Sequence, residues 1–259
     1  MGYKKTALEK ECFKLAKKEQ AYLQKRMQKK DSKLNQFLEN KVPAGLQSKL
    51  DGAFFKAFQL VFEKGTGVIE KTYNRDELQK TYSINEYAAE VRNNSKSLKT
   101  FSKKAATAGG INLVLSGASG IGLGVLGIGL PDIALFTGFM LKSLYEIALD
   151  FGFDYKDEEE KRFILLLIRG ALSYGEELKS IDDEINFYID YGTFGKPAEI
   201  DACIKDAAGC LSKELLYMKF LQGIPIVGVV GGAYDAVYMK KIVEYAEMKY
   251  RRRFYSKRQ

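Results

Sequence analysis

Apolar side chains recur every three or four residues along most of this chain, which is the spacing of one face of an α-helix. Within the polar, Lys-, Gln- and Glu-rich residues 4–39 they include Leu8, Leu15, Met27 and Leu38, so the first helix is predicted there. Alternation of apolar and polar residues, the pattern of a half-buried strand, is not sustained anywhere in the sequence. The sequence therefore predicts an all-α fold of seven to nine helices in a single multi-helix domain with a polar N-terminal helix.

Capping and breaking residues place the ends of the predicted helices. A break at residues 42–45 ends the first helix, and Asn74 with Glu77 is predicted to form the capping box of another. Asp154 is expected to cap a helix whose body, residues 163–168, is apolar on every side and should therefore be buried centrally. Further helices are predicted over residues 46–62, 131–149, 176–191, 198–221 and 225–255.

Residues 105–131 differ from the rest of the chain, because these 27 residues carry no charge and include eight glycines. Gly122, Gly124 and Gly127 match the G-x-G-x-x-G pattern of dinucleotide-binding turns, but no strand–helix–strand pattern follows them. Small residues four apart, such as Gly120 and Gly124, favour close helix–helix packing instead. The tract predicts a Gly-rich apolar helical hairpin, buried in the core or inserted part-way into a membrane. A full span, which needs about 20 apolar residues, is the third alternative.

Charge is concentrated at the two ends of the chain. Residues 1–30 hold ten Lys/Arg and three acids, a net charge of +7, and residues 249–259 hold six Lys/Arg and no acid. Since the whole chain carries +8, residues 31–248 carry −5. Basic ends on an acidic body favour anionic membrane lipid over nucleic acid, whose phosphates the body would repel and for which no motif is found. The candidate membrane- and anion-binding residues are Lys249, Arg251, Arg252, Arg253, Lys257 and Arg258.

The residue types that are missing exclude several kinds of chemistry. The sequence has no histidine, which removes Ser-His and Cys-His nucleophile pairs and most zinc sites. Its three cysteines, Cys12, Cys203 and Cys210, are an odd number without a C-x-x-C spacing, so no disulfide framework is predicted and a reduced setting is expected. The polar first residues argue against an export signal. No catalytic residue, metal or cofactor is predicted.

Two aspartates next to long uncharged stretches, Asp132 and Asp235, form the other candidate site. A carboxylate in apolar surroundings needs a cationic partner or must hold a proton, and Lys142, Arg162 and Arg169 are the candidate partners of Asp132. A structural role is favoured. The alternative is a carboxylate-dependent hydrolase acting on lipid or peptide through Asp132. The candidate polar network comprises Asp132, Lys142, Asp154 and Asp235.

Several segments together resemble the EcsC family over roughly residues 45–255. They are residues 120–133 (GIGLGVLGIGLPDI), 142–148 (KSLYEIA), 151–154 (FGFD), 224–235 (IPIVGVVGGAYD) and 250–253 (YRRR). Relatives tend to carry Arg in place of Lys142 and Asn in place of Asp235.

The resemblance implies a bacterial protein that is cytoplasmic or peripheral to the membrane. The family is named after the third gene of a Gram-positive operon whose other products form an ABC transporter linked to secretion and protein processing. It implies no catalytic residue. We therefore expect a non-enzymatic, peripheral protein at the inner face of the cell membrane, accessory to an ABC transporter or a secretion system. Residues 1–42 would form a basic helical extension and residues 43–259 an EcsC-like helical domain.

Overall fold

The computed structural model describes residues 5–28, 41–43, 45–62, 74–92, 131–222 and 231–259. At residues 88–92, 131–132, 135, 217–222 and 231–236 the description covers the backbone alone. These ranges contain eight helices and no strand, which confirms the predicted all-α class. The helices are α1 (Ala7–Lys25), α2 (Leu46–Leu60), α3 (Arg75–Arg92), α4 (Pro131–Asp150), α5 (Glu158–Leu172), α6 (Gly175–Tyr191), α7 (Ile200–Gln222) and α8 (Gly231–Ser256).

Helix α5 lies at the centre of the fold, as its apolar body predicts. Residues 163–168 are all buried, with side chains no more than 4% exposed. The helix packs against α6, α7 and α8, while α2 lies across α7 and α4. Each fully buried Leu, Ile or Phe stabilises the fold by about 1.5–3 kcal/mol relative to an exposed one, so this segment is a main source of core stability.

Local signals set the starts of several helices. The Asn74 side chain accepts a hydrogen bond from the backbone N–H of Glu77 at 3.1 Å, so the predicted cap of α3 is confirmed. Helix α1 begins with a capping box in which Thr6 and Glu9 bond each other's backbone N–H. Asp154, however, does not cap α5, which starts at Glu158. Its carboxylate instead accepts from the backbone N–H of Lys156 at 3.1 Å and binds Arg75 at 2.6 Å.

The first helix is shorter than its sequence pattern predicts, because it ends at Lys25 and not near residue 39. Arg26 leaves the helix to bind the body of the protein, and its guanidinium donates to the carbonyl oxygen of Ser173 at 3.0 Å. The same guanidinium lies 4.3 Å from the ring centre of Tyr174. The Arg26 carbonyl accepts from the backbone N–H of Gly175 at 3.0 Å. Tertiary contacts therefore override a helical pattern that continues along the sequence.

The predicted Gly-rich hairpin falls on residues 105–130, which lie outside the described residues. Among the helices that are described, none combines the length and the apolar character needed to cross a bilayer. Helix α1 packs on α6 and α8. The domain boundary between residues 42 and 43 stays a prediction.

A glycine brings α5 and α8 into close contact. A Cβ atom at Gly170 would lie 2.6 Å from Cε1 of Tyr245. The Tyr245 ring is fully buried and stacks on Tyr22, with 5.1 Å between ring centres. Its hydroxyl donates to Asp182 at 2.6 Å, so the ring has no room to move away.

We expect Gly170→Ala to lower the free energy of unfolding by about 1–3 kcal/mol, because the added methyl group overlaps a fixed ring. Gly209→Ala in α7 is the matched control, since its Cβ would meet nothing within 4 Å and alanine favours helices by up to about 1 kcal/mol. Urea denaturation of the two variants measures both effects. Equal stability of the two would contradict close packing at Gly170.

Candidate functional site

The basic C-terminal residues lie on the last turns of α8 and in the residues after it, against the body of the protein. The structure places acidic side chains from α1, α3, α5 and α6 beside four of the six predicted anion-binding cations. Their charge is therefore engaged within the fold. Whether any of the six also binds an external anion stays a prediction.

Lys249 lies at the centre of this arrangement and is 0% exposed. Its ammonium group is 3.0 Å from Oε1 of Glu19 in α1 and 2.8 Å from Oδ1 of Asp182 in α6. The third short contact is with Oδ1 of Asn186, at 2.9 Å. Glu19 and Asn186 accept hydrogen bonds from the ammonium and Asp182 adds a second carboxylate in ion-pair contact, which favours the charged form of a buried lysine.

Asp182 links this lysine to the aromatic core. It accepts from the Tyr245 hydroxyl and, through its other oxygen, from the Asn186 side-chain amide at 2.9 Å. Burial and the facing Asp182 carboxylate raise the pKa of Tyr245 well above its usual value, so Tyr245 stays a hydrogen-bond donor. The charged groups at the centre of the Lys249 site, Lys249, Glu19 and Asp182, are therefore both buried and bonded to one another.

A second buried acid, Glu160, neutralises Arg253. Its carboxylate is 2.6 Å from Nη1 of Arg253 and accepts from the Tyr250 hydroxyl at 2.6 Å. The arginine also donates to the hydroxyl of Tyr188 at 3.1 Å and lies 3.8 Å from the ring centre of Phe153. Burial raises the pKa of Glu160, while the guanidinium opposes the rise.

The remaining cations lie nearer the surface. Arg252 binds Glu19 at 3.5 Å and Asp190 at 3.2 Å, and Arg258 binds Glu86 at 3.0 Å. Arg251 is half-buried on α8. Lys257 is exposed as a whole, but its ammonium lies 4.3 Å from the Phe153 ring centre. Partial burial of the ammonium there and the nearby Arg253 lower its pKa.

The outer face of α1 is a basic surface that the sequence analysis did not single out by residue. Its lysines are exposed along one side of the helix, with Phe13 between them at 50% exposure. The side chain of Gln259 donates to the sulfur of Cys12 at 3.3 Å, so the C-terminal end of the chain contacts α1 on the side of the helix that packs against the core. We call the outer surface of the helix the α1 basic face; its lysines are Lys10, Lys14, Lys17, Lys18 and Lys25.

The acidic residues of α1 reduce the charge of this face at one position only, Lys14, which Glu11 binds. Glu9 belongs to the capping box, Glu11 is buried and binds Lys14 at 2.9 Å, and Glu19 is buried against Lys249. Glu11 and Glu19 lie on the same helical stripe as Leu15, which faces the core. Glu11 and Glu19 thus point inward and the lysines point outward.

The structure describes two of the four side chains of the candidate polar network, Lys142 and Asp154. The side chains of Asp132 and Asp235 lie outside the described residues. Asp154 binds Arg75 and is not brought to Lys142 by any contact in the described structure. Two of the cations suggested as partners of Asp132 bind other acids in the structure: Arg162 binds Glu184 at 2.8 Å, and Arg169 binds Asp206 at 3.3 Å.

Lys142 faces a different acid, Glu146, one turn further along α4. Burial raises the pKa of Glu146 to about 7, with Lys142 opposing the rise and Asp150 adding to it. A second acid, Glu247 of α8, also has a raised pKa. Burial raises this pKa, and the adjacent cations Arg251 and Lys18 oppose the rise. In the part of the chain that the structure describes, no three His, Cys, Asp or Glu side chains are placed to hold a metal ion.

A cleft of about 420 Å³ lies between the end of α5 and α7 and contains Cys210. Its lining is mixed in charge, with Arg169 and Lys213 among three acids. Burial raises the pKa of the Cys210 thiol to about 11 and also raises the pKa values of Cys12 and Cys203. None of the three cysteines is therefore a ready thiolate nucleophile at neutral pH.

Removal of the buried ammonium tests the Lys249 network. We expect Lys249→Met to lower the free energy of unfolding by about 3–5 kcal/mol, because Asp182 would remain buried without a counter-charge and Glu19 would keep only Arg252, at 3.5 Å. Lys240→Met is the control: this lysine is exposed and binds Glu244 at 3.8 Å, so the change should stay within about 0.5 kcal/mol. Chemical denaturation measures both. Similar values for the two variants would contradict a buried, charge-balanced site.

The raised pKa of Glu146 predicts how the stability of the protein depends on pH. Because its pKa is about 7 in the folded protein and 4.5 ordinarily, the folded state binds more protons between these values. Its contribution to stability therefore falls as pH rises through this window and is constant above it. We expect the wild type to lose on the order of 1–3 kcal/mol more than Glu146→Gln between pH 5 and about pH 7.5. Parallel curves of unfolding free energy against pH would exclude the raised pKa.

The similarity to known proteins extends over nearly the whole of this helical fold. No curated protein and no solved structure matches the chain. The family model described as the EcsC protein family matches residues 7–254, so the match includes α1 and extends beyond the segment over which the sequence motifs show the resemblance. The chain belongs to the EcsC protein family.

Proposed function

We propose that this protein is a non-enzymatic, peripheral membrane protein that binds the anionic inner face of the cytoplasmic membrane through its basic ends. The observation that carries the proposal is the α1 basic face, on which lysines point outward while Glu11 and Glu19 of the same helix point inward. Membrane lipid is favoured over nucleic acid because an exposed phenyl ring lies within the lysine surface. The chain also lacks a recognisable nucleic-acid-binding motif.

The energetics suit reversible binding. Each Lys or Arg near an anionic bilayer surface contributes about 1 kcal/mol, and the contribution falls off within a Debye length. The five lysines of the α1 basic face together support micromolar-to-millimolar attachment without a membrane span. Lys257 is a further exposed cation near the C-terminus, whereas Lys249 acts from inside the fold by holding α1 in place.

Family membership supports the second part of the proposal, an accessory role beside an ABC transporter or a secretion and protein-processing system. Attachment at the membrane surface would place the protein where such a transporter lies. The acidic side chains exposed on α6, Glu176, Glu177 and Asp183, lie on another helix and remain open to a protein partner in this arrangement.

Vesicle flotation tests membrane binding. The wild type should float with phosphatidylcholine vesicles that contain phosphatidylglycerol, and the bound fraction should fall steeply as salt is added. Replacement of Lys10, Lys14, Lys17 and Lys25 by Glu should weaken binding by roughly 10²- to 10³-fold, because each lost lysine contributes about 1 kcal/mol.

The matched control carries the same charge change on other helices. Lys49, Lys56, Lys179 and Lys205 are also exposed, and their replacement by Glu should cost far less if one face is used. Equal loss in both variants would show that net charge alone governs binding. A wild type that ignores the anionic vesicles, or that binds single-stranded RNA or duplex DNA in their place, would overturn the proposal.

A further inference from the structure

An exposed aromatic ring lies within the lysines of the α1 basic face. Phe13 is 50% exposed, although a phenyl side chain has no polar group for water to bind. Helix geometry puts Lys10 three residues before it and Lys17 four residues after it on the same side, and both are exposed. An apolar group is thus surrounded by positive charge on a surface that faces away from the core.

Two ammonium groups cover this ring in the free protein. Nζ of Lys5 lies 4.4 Å from the ring centre and Nζ of Lys17 lies 4.6 Å from it. Such contacts at an exposed site are weak, and ammonium groups bind phosphate oxygens readily. An anionic surface would therefore compete for the two lysines and leave the ring uncovered.

Other exposed aromatic side chains have different surroundings. Phe187 and Tyr191 of α6 are 42% and 71% exposed, and their rings pack on each other with 4.6 Å between centres. The exposed charged residues beside them in α6 are the acids Asp183 and Asp190. Because Asp190 binds Arg252 at 3.2 Å, these rings lie in a surface of mixed charge that lacks the run of lysines around Phe13, and they make suitable controls for it.

We propose that Phe13 inserts into the interfacial region of an anionic bilayer while Lys5 and Lys17 move from its ring to lipid phosphates. The inference rests on the proposed function and specifies its contact: charge brings the α1 basic face to the membrane, and the ring anchors it there. Aromatic side chains are favoured at the depth of the lipid headgroups, where the ring is removed from water next to polar groups.

The absence of tryptophan from the chain makes this insertion directly observable. In Phe13→Trp the only indole in the protein reports the environment of position 13. Phosphatidylglycerol-containing vesicles should shift its emission to the blue, and lipids brominated on their acyl chains should quench it. Tyr191→Trp, on the acidic side of α6, should show neither change with the same vesicles.

An affinity measurement accompanies the fluorescence. Phe13→Ala should weaken vesicle binding about tenfold to a hundredfold while the melting temperature stays unchanged, and Phe13→Trp should restore the affinity. A melting temperature lowered in Phe13→Ala with vesicle affinity intact would identify a purely structural ring and overturn the inference.

The outcomes separate the two proposals. If the wild type floats with anionic vesicles but the indole of Phe13→Trp shows no shift or quenching, insertion of position 13 is wrong and the electrostatic attachment stands. If the wild type does not float at all, both are wrong. An emission shift of this indole that single-stranded RNA produces and vesicles do not would overturn the lipid assignment and indicate base stacking.

Discussion

The arrangement of the helices depends on one buried charge, the ammonium group of Lys249. An unpaired ammonium in the core would cost several kcal/mol, so the fold is stable only when oxygen acceptors surround this group. Glu19 comes from α1, while Asp182 and Asn186 come from α6, at distances of 2.8–3.0 Å from the nitrogen. The three helices α1, α6 and α8 must therefore take their relative positions together, because a shift of any one would leave a charge without its partner.

The same requirement sorts the charges of the molecule into an inner and an outer set. Cations of α8 draw acids from three other helices to the inside: Glu19, Glu160 and Asp182. Helix α1 gives Glu19 to this inner set and is left with lysines outside. A helix whose sequence contains both signs thus presents one sign to the surroundings. The electrostatic surface follows from the packing, and the net charge of the segment alone does not describe it.

The sequence pattern predicts the all-α class, the central burial of residues 163–168 and the cap at Asn74 correctly, since each depends on neighbours within a turn or two. It fails at Lys25 and at Asp154, where Arg26 and Arg75 make contacts with parts of the chain far away in sequence. Contacts between residues that are far apart in the sequence cannot be recognised from the residue pattern of one short segment.

The site shows the same limit. Residues 249–259 are visibly basic, but Lys249 and Glu19 are 230 positions apart, so charge composition could not show that the lysine is buried. A signal for the inner acids was present. Glu11 and Glu19 are eight residues apart on the helical stripe of Leu15, and acids on an apolar stripe indicate buried cationic partners. By contrast, the partners themselves, on α8, could be identified only from the fold.

The Lys249 network also constrains how this chain can diverge. Loss of the lysine alone leaves Asp182 buried without a cation and Glu19 with Arg252 only, while loss of one carboxylate removes one of the two acids that stabilise the buried ammonium. Interaction energies of this kind make the effects of substitutions at positions 19, 182 and 249 non-additive, so each change is tolerated mainly in the background of another. Among homologues these three positions should covary, and a member with an apolar residue at 249 should have a neutral residue at 182.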